Sequence, residues 1–122
     1  MLGNARALRI LCPLVGAVLV SAVSPSNAQT ADIPSFVTGN ELAQWFTNRP
    51  NIANAYVLGV WDQHSSFQVG LGQKTICMPT QVSRKQAAEV VKRYVNEHPE
   101  QRHYAAAAMV TVALTAAFPC PK

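Results

Sequence analysis

At 122 residues the chain has room for one domain and not for two separate cores. Its formal charge of +4 overstates the basicity of the working part, because Arg6 and Arg9 fall in a leader and the rest carries 8 basic against 6 acidic residues. Those charges are scattered, with Arg84-Lys85 and Lys92-Arg93 as the adjacent pairs on the outer face of a helix, so the balance describes a solvated surface and implies no nucleic-acid partner.

The leader comes first. Arg6 and Arg9, the apolar run Ile10 to Val23 and the small residues Ser26-Asn27-Ala28 follow the order of a secretory signal peptide, expected over residues 1–28. The competing reading is a transmembrane anchor, but a run of about 14 residues broken by Pro13 and Gly16 is short for a bilayer that needs about 20. Cys12 lies ahead of most of the apolar run, whereas a lipoprotein cysteine follows it, so Cys12 should leave with the leader. Export then leaves Cys77 and Cys120, an even pair in an oxidising compartment, and a disulfide is expected between them. The loop it closes, about 44 residues, corresponds to about 4 kcal/mol in the chain-entropy account. After leader removal no membrane association is expected.

Gln29 to Phe36 is polar, contains Pro34 and shows no helical period, so it reads as a flexible arm. Thr38-Gly39-Asn40-Glu41 matches a capping box and predicts a first helix from about Asn40 to Asn48, with Leu42, Trp45 and Phe46 on one face and Pro50 beyond its end. Ile52 to about Gln63 predicts a second helix. Ile52, Tyr56, Gly59 and Val60 lie on one side with Ala55, Leu58 and Trp61 near them, the pattern of a helix surrounded by others. Val57 to Trp61 also suits a strand core, but no alternating partner strand occurs elsewhere in the chain.

His64 to Thr80, rich in Ser, Gly and Gln, predicts the longest loop, which is the kind of segment that carries function or moves. Ser83-Arg84-Lys85-Gln86 is a second capping box, and Ala87, Val90, Val91, Tyr94 and Val95 form the clearest helical stripe, ending near His98 because of Pro99. Gln101 to Ala117 predicts a fourth, alanine-rich helix with Tyr104, Ala108, Val112 and Thr115 along one face and Pro119 as its stop. The expected fold is all-α: a small four-helix, bundle-like domain with one disulfide, following a cleaved signal peptide.

No catalytic constellation emerges. Cys77 with His64, His98 or His103 as base would suit a cysteine nucleophile, but an exported thiol with one available partner is expected oxidised. His98 and His103 are spaced five apart and lack the register of a helical zinc pair, so no metal is expected. Gly70-Leu71-Gly72-Gln73-Lys74-Thr75 departs from a phosphate loop in the place of its lysine, and no cofactor is expected. The carboxylates Asp32, Glu41, Asp62, Glu89, Glu97 and Glu100 show no pairing that would separate an acid from a base. Trp45, Phe46, Tyr56, Trp61, Tyr94 and Tyr104 sit at helical spacing and read as core. Phe67 stands apart, in a glycine-flanked stretch, as a contact residue for a partner.

Five segments in order then carry a resemblance. They are Thr38-Gly39-Asn40-Glu41-Leu42, Tyr56-Val57-Leu58-Gly59-Val60-Trp61-Asp62, Ile76-Cys77-Met78-Pro79, Val90-Val91-Lys92-Arg93-Tyr94-Val95 with His98-Pro99-Glu100, and Ala113-Leu114 with Ala117-Phe118-Pro119-Cys120. Together they resemble the Rap/Tai family of immunity proteins, small periplasmic proteins that protect bacteria against peptidoglycan-cleaving amidases delivered by type VI secretion. The likeness spans nearly all of the chain past the leader, residues 29–122. It implies a periplasmic, non-enzymatic protein, forming homodimers, that binds a secreted amidase effector and blocks its active-site cleft. The family commonly has a second cysteine pair, in whose places this chain has Trp45 or Phe46 and Ala53, a large aromatic against a small alanine. On this reading His64, Phe67, Gln68, Leu71 and Lys74 are the expected effector contacts, with Phe67 as anchor. A small periplasmic helical chaperone or stress protein has a similar build and is the alternative from another class.

Overall fold

The computed structural model describes residues 34–122; the predicted signal peptide and most of the predicted arm lie outside them. Four helices make up the described part: α1 (Gly39–Asn48), α2 (Pro50–Leu71), α3 (Arg84–Glu97) and α4 (Ala106–Ala117), with a 3-10 turn at Pro99–Gln101 between the last two. No strand occurs among the described residues.

α1 starts where its capping box predicts. Thr38 is extended, its hydroxyl oxygen accepts from the Glu41 amide at 3.3 Å, and the Glu41 carboxylate accepts from the Thr38 amide at 2.8 Å and its hydroxyl at 2.9 Å. These bonds, the backbone one foremost, hold the Glu41 carboxyl below its ordinary range. Leu42 and Phe46 turn inward, while Trp45 is half-buried with its ring edge-on to Tyr56 at 5.9 Å.

α2 begins with Pro50 in its first turn, where a missing N–H costs nothing. It does not stop at Gln63. Ser65 and Ser66 donate to the Asp62 carbonyl at 3.0 and 2.9 Å, so these hydroxyls are satisfied within the helix instead of breaking it. The helix runs to Leu71 and ends at Gly72, whose φ of 64° is the left-handed conformation that glycine adopts without a Cβ clash. His64 to Leu71, nearly half of the segment predicted as the long loop, is therefore helix, and the irregular stretch begins only at Gly72. Nor is α2 surrounded: Ala53 and Val57 are buried, but Ile52, Ala55 and Gly59 face solvent.

α3 matches its stripe, with Ala87, Val91 and Val95 buried and Val90 and Tyr94 partly so. Its cap is reciprocal, Ser83 amide to Gln86 Oε1 at 2.7 Å and Gln86 amide to Ser83 Oγ at 3.2 Å. At the other end the His98 amide and Nδ1 approach the Tyr94 carbonyl, and the Arg102 guanidinium donates to the Val95 carbonyl at 2.8 Å.

α4 starts five residues later than its composition predicts, because residues 102–106 pair with the chain entering α1. Gly39 donates to the Tyr104 carbonyl at 2.9 Å, Asn40 to Arg102 at 2.9 Å and Ala106 to Val37 at 2.8 Å. Tyr104 consequently leaves the expected core and is 57% exposed. The buried face of α4 is Ala106, Met109, Val110, Ala113 and Leu114, while Ala108, Val112 and Thr115 form its solvent side. Of the residues at the places where the resemblance implies a second cysteine pair, Phe46 and Ala53 lie in the common core with Leu42, Val57, Val91 and Val110, and Trp45 packs partly buried against it.

Candidate partner-binding site

The expected disulfide is present: Cys77 and Cys120 are bonded, with Cα atoms 4.9 Å apart. It joins two irregular segments, the stretch after α2 and the stretch after α4, beside a backbone bond from the Cys77 amide to the Phe118 carbonyl at 2.9 Å. A sulfur bonded in this way is no thiolate nucleophile, which closes the cysteine-protease reading of Cys77.

Gln68 organises the stretch after α2. Its side chain turns inward, where Oε1 accepts from the Thr75 and Ile76 amides and the Thr75 hydroxyl, and Nε2 donates to the Ile76 carbonyl at 3.4 Å. At 9% exposure with both ends of its amide engaged, Gln68 braces this end of α2 and meets the outside only as part of a groove wall. His64 supports the same stretch, its Nε2 lying 2.9 Å from the Thr75 hydroxyl. Phe67 and Leu71 stand one helical turn apart and are each 57% exposed. Lys74 follows in the irregular stretch. The five residues thus share one end of α2 but divide into two inward supports, two exposed apolar side chains and one cation.

Val69, 84% exposed, stands on the opposite flank of α2, since side chains two apart on a helix do not share a face. Between it and the stretch after α2 lies an open groove of about 560 Å³ walled by Trp61, Gln68, Val69, Ile76, Cys77 and Met78, with Lys74 its one charged wall residue. Trp61, Ser65 and Val69 are spaced by four and form one helical stripe, a signal visible in the sequence only if α2 is continued beyond Gln63. A second groove, about 590 Å³, lies beside the start of α3; its rim carries both signs, Lys85 and Arg93 with Glu89, and none of the strongly exposed large apolar side chains. No cluster of metal-ligating side chains occurs among the described residues, and no helix among them is long and apolar enough to cross a membrane.

The model of one protein family, described as Rap1a immunity proteins, matches residues 38–120, from the α1 cap to the second cysteine. The chain belongs to the Rap1a immunity proteins. No curated protein and no solved structure matches it. Membership in the Rap1a immunity proteins points to protection against a secreted effector through binding a protein partner.

Proposed function

We propose that the chain is a periplasmic immunity protein that binds a peptidoglycan amidase of type VI secretion and covers the active-site cleft of that enzyme with the end of α2. The observation that carries this reading is the apolar end of α2, with Phe67 and Leu71 exposed on one flank and Val69 on the other, beside the Trp61–Met78 groove. Three large apolar side chains exposed within five residues are costly to leave in water, and such side chains are what protein partners bury. The amidase and the periplasm come from the family resemblance and the leader pattern, and the work is done by binding, without chemistry of its own. The uncharged faces of α2 and α4 offer a second contact. Residues 50–61 and 104–119 contain no charged side chain, and Val112 is half-exposed, so two copies joined there would leave the α2 edge free.

The test is inhibition of the amidase that co-purifies with the protein. Truncating Phe67, Val69 and Leu71 together to alanine should weaken inhibition about 10- to 100-fold, as loss of hot-spot side chains does, with the circular dichroism unchanged. Full inhibition by that variant would remove the edge from the interface. Suppression of aggregation of unrelated proteins, with no effect on any amidase, would instead support the chaperone reading.

A further inference from the structure

We propose that the Cys77–Cys120 bond is a redox gate on the α2 edge, holding the groove wall in place while the helices stand without it. The consequence for a partner rests on the binding function proposed above; the gate itself does not.

The two kinds of structure are held by different forces. The core draws on all four helices, through Leu42, Phe46, Val57, Val91, Val110 and Leu114, and from the stretch after α2 it takes buried Ile76, with Met78 and Val82 packed partly buried against it. Gly72 to Ser83 contains no regular helix or strand. On the α2 side it is fixed by Gln68 and His64. On the α4 side its links are the disulfide, the Cys77 to Phe118 backbone bond and the small Ile76–Pro119 bridge. Phe118 to Lys122, the other side of the crosslink, is likewise irregular and only partly buried. Breaking the sulfur bond leaves two irregular segments held by a few backbone contacts and by the packing of Ile76, Met78, Val82 and Phe118, and an opening confined to them leaves the contacts among the four helices in place. Cys77 belongs to the groove lining, so that opening removes one wall of the groove.

Both cysteines are partly exposed, so the gate is within reach of reagents. Closing it requires a disulfide-bearing oxidant of the thiol–disulfide oxidoreductase class. One thiolate attacks the oxidant's disulfide to give a mixed disulfide, and the second thiolate displaces the oxidant. The two electrons go to the oxidant, the two thiol protons pass by way of solvent to its two sulfurs, and the oxidant leaves as a dithiol. A chain still in a reducing compartment would then carry folded helices and an unformed binding edge.

The experiment compares the oxidised protein, the same protein reduced with a phosphine, and the C77S/C120S double variant, at 15 °C with sodium sulfate to favour the folded state. Amide hydrogen exchange is read residue by residue beside far-ultraviolet circular dichroism. On reduction the amides at positions 76 and 77 should exchange about 100-fold faster while those of Val91 and Val110 remain slow and the helical signal persists. With Trp45→Phe leaving Trp61 as the reporter, the emission should move to the red as the wall opens. Unchanged exchange at positions 76 and 77 would overturn the gate, as would melting of all four helices together. The reduced protein should also bind the co-purified amidase at least about tenfold more weakly, a change of about 1.4 kcal/mol; equal binding overturns the gate. If the oxidised protein binds no amidase, the proposed function fails, and the exchange result alone decides the gate.

Discussion

Gly39 and Gly59 are the same residue type with opposite sensitivities. A Cβ on Gly39 would strike the Met109 sulfur and lie 2.9 Å from the Arg102 Cα and 3.0 Å from its carbonyl oxygen, and the backbone cannot move aside as a methionine can. Gly39→Ala should therefore destabilise the fold by about 1–3 kcal/mol, as overpacking does, read from the urea midpoint. Around Gly59, in the exposed middle of α2, a Cβ meets nothing within 4 Å. Gly59→Ala should raise stability by up to about 1 kcal/mol through helix propensity in the same titration. Gln68 is sensitive for a polar reason. Gln68→Ala strands the amide of the buried Ile76, and an unpaired buried donor costs about 1–3 kcal/mol. Its exchange signature should be fast amides at 75 and 76.

Among the elements, the capping boxes are the most separable contributions. Thr38→Ala removes the hydroxyl that receives the Glu41 amide and should cost about 1 kcal/mol in thermal or urea unfolding. The carboxylate half of that box adds a pH dependence. Glu41 titrates below its ordinary value of 4.5 when folded, so its contribution is complete above that value and is lost as pH falls through the lower folded one. Glu41→Gln should lower the neutral part of a stability-against-pH curve and flatten its acid limb, so that the variant and the parent converge as pH falls below the folded value. These boxes were legible from sequence because Thr38, Glu41, Ser83 and Gln86 satisfy one another over three residues. The true end of α2 was not, because His64-Ser65-Ser66 has the composition of a loop, and its helical state depends on burying Gln68 against residues that come later. The start of α4 was missed for a related reason: Tyr104 is held by the Gly39 amide, a partner far away in sequence. At the site, Phe67, Leu71 and Lys74 could be singled out as residues, yet their arrangement followed from that unrecognised helix, as did the exposure of Val69.

For the molecule as a whole, the crosslink dominates any comparison of conditions. Losing about 4 kcal/mol of loop-closure stabilisation should lower the midpoint of thermal unfolding by roughly 15–30 °C in a domain of this size, measurable by calorimetry with and without reductant. The surface is just as uneven: charges crowd α3, while α4 carries none. The seam between residues 37–40 and 102–106 bears on how the chain comes into being. A ribosome delivers Thr38 early and Tyr104 late, so during most of synthesis the first turn of α1 lacks the carbonyls that receive its amides, and the hydrophobic side of α4 does not yet exist. A nascent chain in that condition stays pliable until translation is well advanced, and α1 closes its first turn only when the chain around Tyr104 arrives.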